Sequence, residues 1–224
     1  MTTGLDADDL ENILQIDIVS DVVCPWCIVG FKQLEQAIEN TGASAAIKWH
    51  PFELNPDMPQ EGENLRAHIM RKYGTTAEQS QETRDRLTGL GAGLGFDFSF
   101  TDDMRMVNTF KAHQLIHWAG PEGKEHPLKM ALFEAYFKDG KDVSDTETLA
   151  DIAAGQGLDR NEAVRVLEDG RFADVVREEE SFWRQNGIEG VPAVIFERRH
   201  MISGAQGAEN YASIIRQLVD NEAA

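Results

Sequence analysis

Cysteine is nearly absent from this chain: two stand in 224 residues, at Cys24 and Cys27. That excludes a framework of structural disulfides, and a bridge closing so short a loop would constrain the unfolded chain very little. Basic residues are also scarce, with 21 Lys and Arg against 39 Asp and Glu and a formal net charge of −18. Phosphate binding needs clustered Lys and Arg, so nucleic acid is excluded as a partner, and so is an anionic membrane surface. The acidity reads instead as a soluble, self-repelling surface. No run approaches the roughly 18 apolar residues of a membrane span. The stretch Met1 to Asn12 lacks the basic and apolar regions of a secretory signal. The expected location is therefore the cytoplasm, where a lone cysteine pair is catalytic, redox-sensing or metal-binding rather than a staple.

Two further absences narrow the chemistry. There is no second cysteine pair, so a four-cysteine zinc site cannot form. The glycine-rich run Gly89-Leu90-Gly91-Ala92-Gly93-Leu94-Gly95 has no Gly-Lys-Ser/Thr ending and follows no strand. It is no phosphate loop and reads as a flexible connection between helices.

What the chain does contain is organised around Val22-Val23-Cys24-Pro25-Trp26-Cys27. An apolar run, Ile13 to Val19, precedes it and reads as a strand. Phe31, Leu34 and Ile38 follow at the spacing of one helix face. Cys24 thus falls at a helix N-terminus, where unpaired N–H groups and the helix dipole stabilise a thiolate. Pro25 suits the first helical turn. Residues three apart on a helix have Cβ atoms roughly 5–6 Å apart, so modest adjustment reaches the roughly 4 Å that a disulfide requires. The pattern points to a dithiol/disulfide redox centre. The alternative is half of a zinc site completed by His113 and His117, four apart on an expected helix, although such histidines are more often ordinary polar residues.

Residues 1–11 read as a loose tail and 13–20 as the first strand. A helix from Cys24 to about Thr41 and a second strand from Ala45 to Phe52 follow, ended by two prolines in Pro51-Phe52-Glu53-Leu54-Asn55-Pro56. Helices are expected at 62–73, 76–91, 105–119, 126–139, 145–155, 160–168 and 171–186, with Thr76, Asp145 and Asp159 as N-caps. Strand character returns at Ala193 to Phe196, with a hairpin partner at Met201 to Ser203 and a last helix over 207–220. Neither terminal part can bury a sheet face alone. The expected organisation is one α/β domain from residues 12–60 and 187–224, interrupted by an all-helical insertion at 61–186.

This layout resembles the thioredoxin fold with a helical insertion, as in the DsbA family, and most closely its FrnE-like branch of dithiol–disulfide oxidoreductases. The resemblance runs from Ile16 to Leu218. It is carried by Ser20 to Cys27, Pro51 to Pro56, Asn108-Thr109 with Ala112-His113, Gly190-Val191-Pro192 and Ser203-Gly204-Ala205-Gln206. One departure is Ile28, where an aromatic commonly follows the second cysteine in these relatives.

The resemblance implies that Cys24 attacks a disulfide and Cys27 resolves the mixed disulfide. It also implies a cis Val191–Pro192 peptide facing Cys24; only about 5–6% of X–Pro bonds are cis, so propensity alone gives an ordinary trans proline at a strand start. Pro25, Trp26, Phe52, Asn55, Val191, Ser203, Gly204 and Gln206 would border the substrate cleft. Met104 and Met106 read as core before groove, and Trp49, Trp118 and Trp183 as core. Asp21 reads equally as a buried carboxylate aiding Cys27 or as a plain loop residue. The expected partners are disulfide-containing proteins or small thiols. No cofactor is expected beyond the Cys24–Cys27 disulfide, with glutathione as a candidate co-substrate. No histidine separates the cysteines, and Pro25 and Trp26 carry no charge, so a reducing or isomerase-like potential is expected. A competing reading is a glutathione-dependent isomerase or transferase of the kappa or 2-hydroxychromene-2-carboxylate isomerase type. Those relatives typically carry serine where Cys24 stands.

Overall fold

β1 (Ile13–Ser20) is buried continuously from Ile16 to Ser20, as an apolar strand covered on both faces must be. It is central in a four-stranded sheet of order β2-β1-β5-β6. β2 (Ser44–Pro51) runs parallel to it, with Ile16 opposite Ile47 and Ile18 opposite Trp49. β5 (Ala193–Phe196) runs antiparallel, with Val19 opposite Ala193, and β6 (His200–Ser203) pairs with β5 as a hairpin. The computed structural model describes residues 13–222; the expected tail at 1–11 lies outside them.

Between β1 and β2 the chain forms α1 (Pro25–Thr41), with Pro25 in its first turn and Gly42 closing it at φ 68°. Its buried face carries Cys27, Ile28, Phe31 and Leu34. The final helix, α9 (Ala208–Glu222), packs along α1. The fold is the thioredoxin-like β-α-β … β-β-α arrangement with a helix-rich insertion between β2 and β5.

The insertion contains α2 (Leu65–Tyr73), α3 (Ala77–Gly93), α4 (Phe110–Ala119), α5 (Glu125–Phe137), α6 (Thr146–Gly155), α7 (Arg160–Asp169) and α8 (Ala173–Gln185). α5 and α8 lie against β2. The expected caps are present: Thr76, Asp145 and Asp159 accept from the N–H groups of Gln79, Thr148 and Glu162. Each such cap is worth about 1 kcal/mol. Among the described residues no helix is long and apolar enough to cross a membrane.

Three expectations need correction. The insertion is not all helical: Glu63–Asn64 (β3) and Arg105–Met106 (β4) form a short antiparallel ladder. That ladder delays the start of α2 to Leu65 and of α4 to Phe110. The glycine run is not a linker up to Gly93, because α3 continues through Gly89, Gly91 and Gly93. Gly91 is needed for packing, since a Cβ there would lie 2.4 Å from the Phe96 carbonyl oxygen and 2.6 Å from the Phe98 ring.

Candidate active site

The turn that ends β1 delivers Cys24 to the N-cap of α1. The Cys24 N–H donates to the Asp21 carbonyl (3.2 Å), and the Cys27 N–H donates to the Cys24 carbonyl (3.0 Å). No side chain caps this helix end, so its free N–H groups and the positive end of its dipole lie beside the Cys24 sulfur. Both thiols are free. Cys24 is 4% exposed and Cys27 fully buried. Burial pushes the Cys27 thiol well above its ordinary value, and the neighbouring Cys24 sulfur pushes it the same way.

Val191–Pro192 is cis. The Cys24 sulfur donates to the Val191 carbonyl oxygen at 3.6 Å. Pro192 is held from behind, where its carbonyl accepts from the Gly204 N–H at 2.7 Å. A groove of 370 Å³ runs from Cys24 between the two parts of the chain. Pro25 and Trp26 of α1 and Leu54 and Asn55 after β2 form one side, and Leu65, Ile69 and Tyr73 of α2 line another.

The dithiol at the N-terminus of α1 thus faces a cis-proline peptide. The model of the DSBA-like thioredoxin domain matches residues 15–216. The chain belongs to this family. A probable DsbA oxidoreductase from Streptomyces coelicolor is 33% identical, with a TM-score of 0.84 over 91% of this chain and 89% of that one. The uncharacterized protein YwbO of Bacillus subtilis is 26% identical, over 90% of this chain and 96% of its own length. The cytosolic disulfide reductase DsbM from Pseudomonas aeruginosa, solved with GSH, is 14% identical (TM-score 0.63, 92% of this chain and 100% of that one) and shows the fold alone.

Not every residue expected at the cleft of this DsbA-like chain lies there. Phe52 does not border the groove. It is buried with Val19, Ile188 and Ala193, and the Arg184 guanidinium lies 4.3 Å from its ring. Ser203, Gly204 and Gln206 do not line the groove either. Gly204 ties back Pro192, and the Gln206 amide turns onto the Ser203 carbonyl at 2.7 Å. Met106 does line the groove, while Met104 is core. Trp49 is buried, whereas Trp118 and Trp183 are half-buried. The two candidate zinc histidines turn elsewhere: His113 to Asp21 at 3.5 Å, His117 to Glu179 at 3.9 Å. Among the described residues no group of three or more His, Cys, Asp or Glu side chains could hold a metal ion.

Asn55 is tied to the insertion. Its side-chain oxygen accepts from Lys72 Nζ at 2.7 Å and stands 2.9 Å from His68 Nε2, and Lys72 also donates to the Leu54 carbonyl. Leu54 in turn donates its N–H to Asp21 Oδ2 at 2.8 Å. Asp21 is therefore a buried carboxylate. Burial alone would raise its pKa; nearby His113, the Leu54 N–H and Lys129 outweigh that and hold it below the usual range.

The burial of Lys129 was not legible in the sequence. It is 1% exposed, with its ammonium 5.3 Å from the Trp49 ring and 5.2 Å from that of Phe133. Burial pushes it down to about 8, against the pull of Cys27, Asp21, Glu125 and Cys24. The one available signal was a lysine within Leu128-Lys129-Met130-Ala131-Leu132-Phe133, an otherwise apolar helix run.

Proposed function

We propose that this chain is a thiol–disulfide oxidoreductase or isomerase in which Cys24 is the nucleophile and Cys27 the resolving thiol. The observation that carries the reading is the placing of Cys24 at a free helix N-terminus, 3.6 Å from the carbonyl of Val191 and at the end of an apolar groove. The Cys24 thiolate attacks one sulfur of a substrate disulfide, and the other sulfur leaves as a thiolate. Cys27 then loses its proton and attacks the Cys24 sulfur. The Cys24–substrate bond breaks, the second substrate thiolate leaves, and the Cys24–Cys27 disulfide remains. The same steps in reverse oxidise a dithiol substrate.

Val191 offers a backbone edge along which an extended substrate segment can lie. Pro25, Trp26 and Asn55 contact the residues flanking the substrate cysteine, and Pro192 shapes the approach to Cys24. Phe52, Ser203, Gly204 and Gln206 support these positions from behind. The redox unit comprises residues 12–60 and 187–224, with 61–186 supplying the far wall. A second cysteine beneath the first favours this reading over a glutathione-dependent isomerase.

Glutathione is the proposed co-substrate, and the cytoplasm the proposed compartment, as for the cytosolic reductase that shares the fold. The uncharged Pro25-Trp26 pair between the cysteines favours reduction or isomerisation, as expected for a FrnE-like protein. The test is reduction of insulin in a glutathione buffer by wild type, Cys24→Ser and Cys27→Ser. Cys24→Ser should abolish turnover, and Cys27→Ser should stall as a mixed disulfide. Turnover that survives Cys24→Ser would sink the proposal. A potential as oxidising as roughly −120 mV would refute the reducing direction.

A further inference from the structure

The buried face of α3 carries Ser80, Arg84, Leu87 and Gly91, at the spacing of one side of a helix. A guanidinium therefore stands where an apolar side chain would pack. Arg84 is 8% exposed and lines the same groove as Cys24. Among the described residues its one ion pair is with Asp102, at 3.7 Å, too long for a hydrogen bond, and the Asp102 side chain is 86% exposed. Arg66 of α2 shares that carboxylate at 3.4 Å. The Phe100 ring lies 5.9 Å from the guanidinium carbon, at the limit of a cation–π contact. Burial and Arg66 both work against the Arg84 charge, with Asp102 supporting it.

A second polar group on the groove wall also lacks a partner. The Thr75 hydroxyl, between α2 and α3, is buried with no hydrogen bond among the described residues. Buried polar groups are nearly always paired, so a cation and a hydroxyl left open in one groove mark a place where a ligand completes them. The wall around them is apolar, with Leu65, Ile69, Leu87, Met106 and Phe137.

We propose that the groove selects disulfides bearing an apolar arm that ends in a carboxylate, and that Arg84, assisted by Thr75, holds that carboxylate. The inference rests on Cys24 being the nucleophile. The planar fork of Arg84 matches a carboxylate through two parallel hydrogen bonds. One guanidinium balances one negative charge, whereas a phosphate dianion would leave a charge uncompensated in an apolar groove. Cys24 attacks the sulfur of the arm lying in the groove, and the other half of the substrate leaves as a thiolate. Cys27 then loses its proton and displaces the arm, which leaves as the second thiolate. The two cysteines are oxidised to a disulfide, the substrate is reduced, and the two protein thiol protons end on the two thiols released.

The experiment mixes the reduced protein with the symmetrical disulfides of mercaptopropionic, mercaptohexanoic and mercaptoundecanoic acid, and with their methylamides. Acid quenching and intact mass give the rate at which the protein is oxidised. Disulfide-linked Cys-Leu-Leu peptides, free or amidated at the C-terminus, form a second series that separates a peptide carboxylate from a small mercapto acid. The net charge of −18 repels anions, so the surface as a whole favours the amides. Wild type should instead react roughly 10–100-fold faster with the best-fitting acid than with its amide. In Arg84→Met that ratio should fall to one or below. Thr75→Val should lower it severalfold, and Arg84→Lys, which keeps the charge but loses the fork, should keep only part of it. Arg86 lies over the Trp26 ring at 5.4 Å and does not line the groove, so Arg86→Met should keep the wild-type ratio. Far-UV circular dichroism confirms that each variant is folded; if Arg84→Met is not, Arg84→Lys decides. Wild type that treats acids and amides alike in both series overturns the proposal. So does a folded Arg84→Met that keeps the preference, or its loss in Arg86→Met. If Cys24→Ser reacts as fast as wild type, the role of Cys24 falls, and this inference with it.

Discussion

A Cβ atom on Gly30 would lie 3.0 Å from Cγ of Pro192. Gly30 is therefore the point at which α1 and the loop before β5 come into contact, one turn past Cys27. The same Cβ would also meet Ala205 at 3.5 Å. The glycine allows the cysteine helix to approach both C-terminal loops.

Gly30→Ala sets two effects against each other. Alanine in a helix interior gains about 0.5–1 kcal/mol over glycine, while the new contact must push the Pro192 ring aside. The expected net change in stability is within about 1 kcal/mol. Insulin reduction should fall severalfold, because the displaced Pro192 borders Cys24. Equal activity in the two proteins would show that the contact relaxes without reaching the sulfur.

Asn55→Leu removes the acceptor shared by Lys72 and His68. The variant should lose about 1 kcal/mol of stability in urea denaturation. Its KM for a peptide disulfide should rise more than its kcat falls, since the groove wall moves and the thiols do not. A kcat loss with unchanged KM would contradict the assigned role.

Asp21 links stability to acid. Its folded pKa lies below the unfolded value, so its contribution is complete above about pH 4 and fades as pH falls through the folded value. Asp21→Asn should therefore be less stable than wild type at neutral pH, by about 1–2 kcal/mol. The gap should close in acid. A gap independent of pH would mean that the carboxylate charge contributes nothing.

Lys129 works in the opposite sense. Its pKa is lowered from 10.5 to about 8 on folding, so the unfolded chain binds more protons between those values. Wild-type stability should rise with pH across that window. Lys129→Met should lack this rise and be more stable at neutral pH by on the order of 2–3 kcal/mol. Melting temperatures of both proteins across the window check the sign. A methionine variant less stable at neutral pH would refute it.

The sheet and its two flanking helices were readable because their signals are local. Ile13 to Val19 is too apolar for a surface segment, and Gly42 stops α1 where its backbone must turn left-handed. The ladder of Glu63–Asn64 with Arg105–Met106 was not readable, since two residues show no periodicity. Gly91 read as part of a flexible connection between helices, and only its close approach to Phe96 and Phe98 explains it within a helix. Phe52 followed the strand that leads to the cleft, but its side chain turns to the other side, under Arg184. Lys129 was hidden by its type, because lysine normally marks a surface.

The Cys24 sulfur and the Val191 carbonyl are separated by 167 residues of chain. At roughly 5–20 residues per second, a ribosome takes on the order of ten to thirty seconds to add that length. Throughout that interval the nascent chain carries both thiols without the loop that faces them. The Cys24 sulfur meets its partner only once the loop before β5 has been made, so a nascent chain that stops short of Val191 carries both thiols without the finished site.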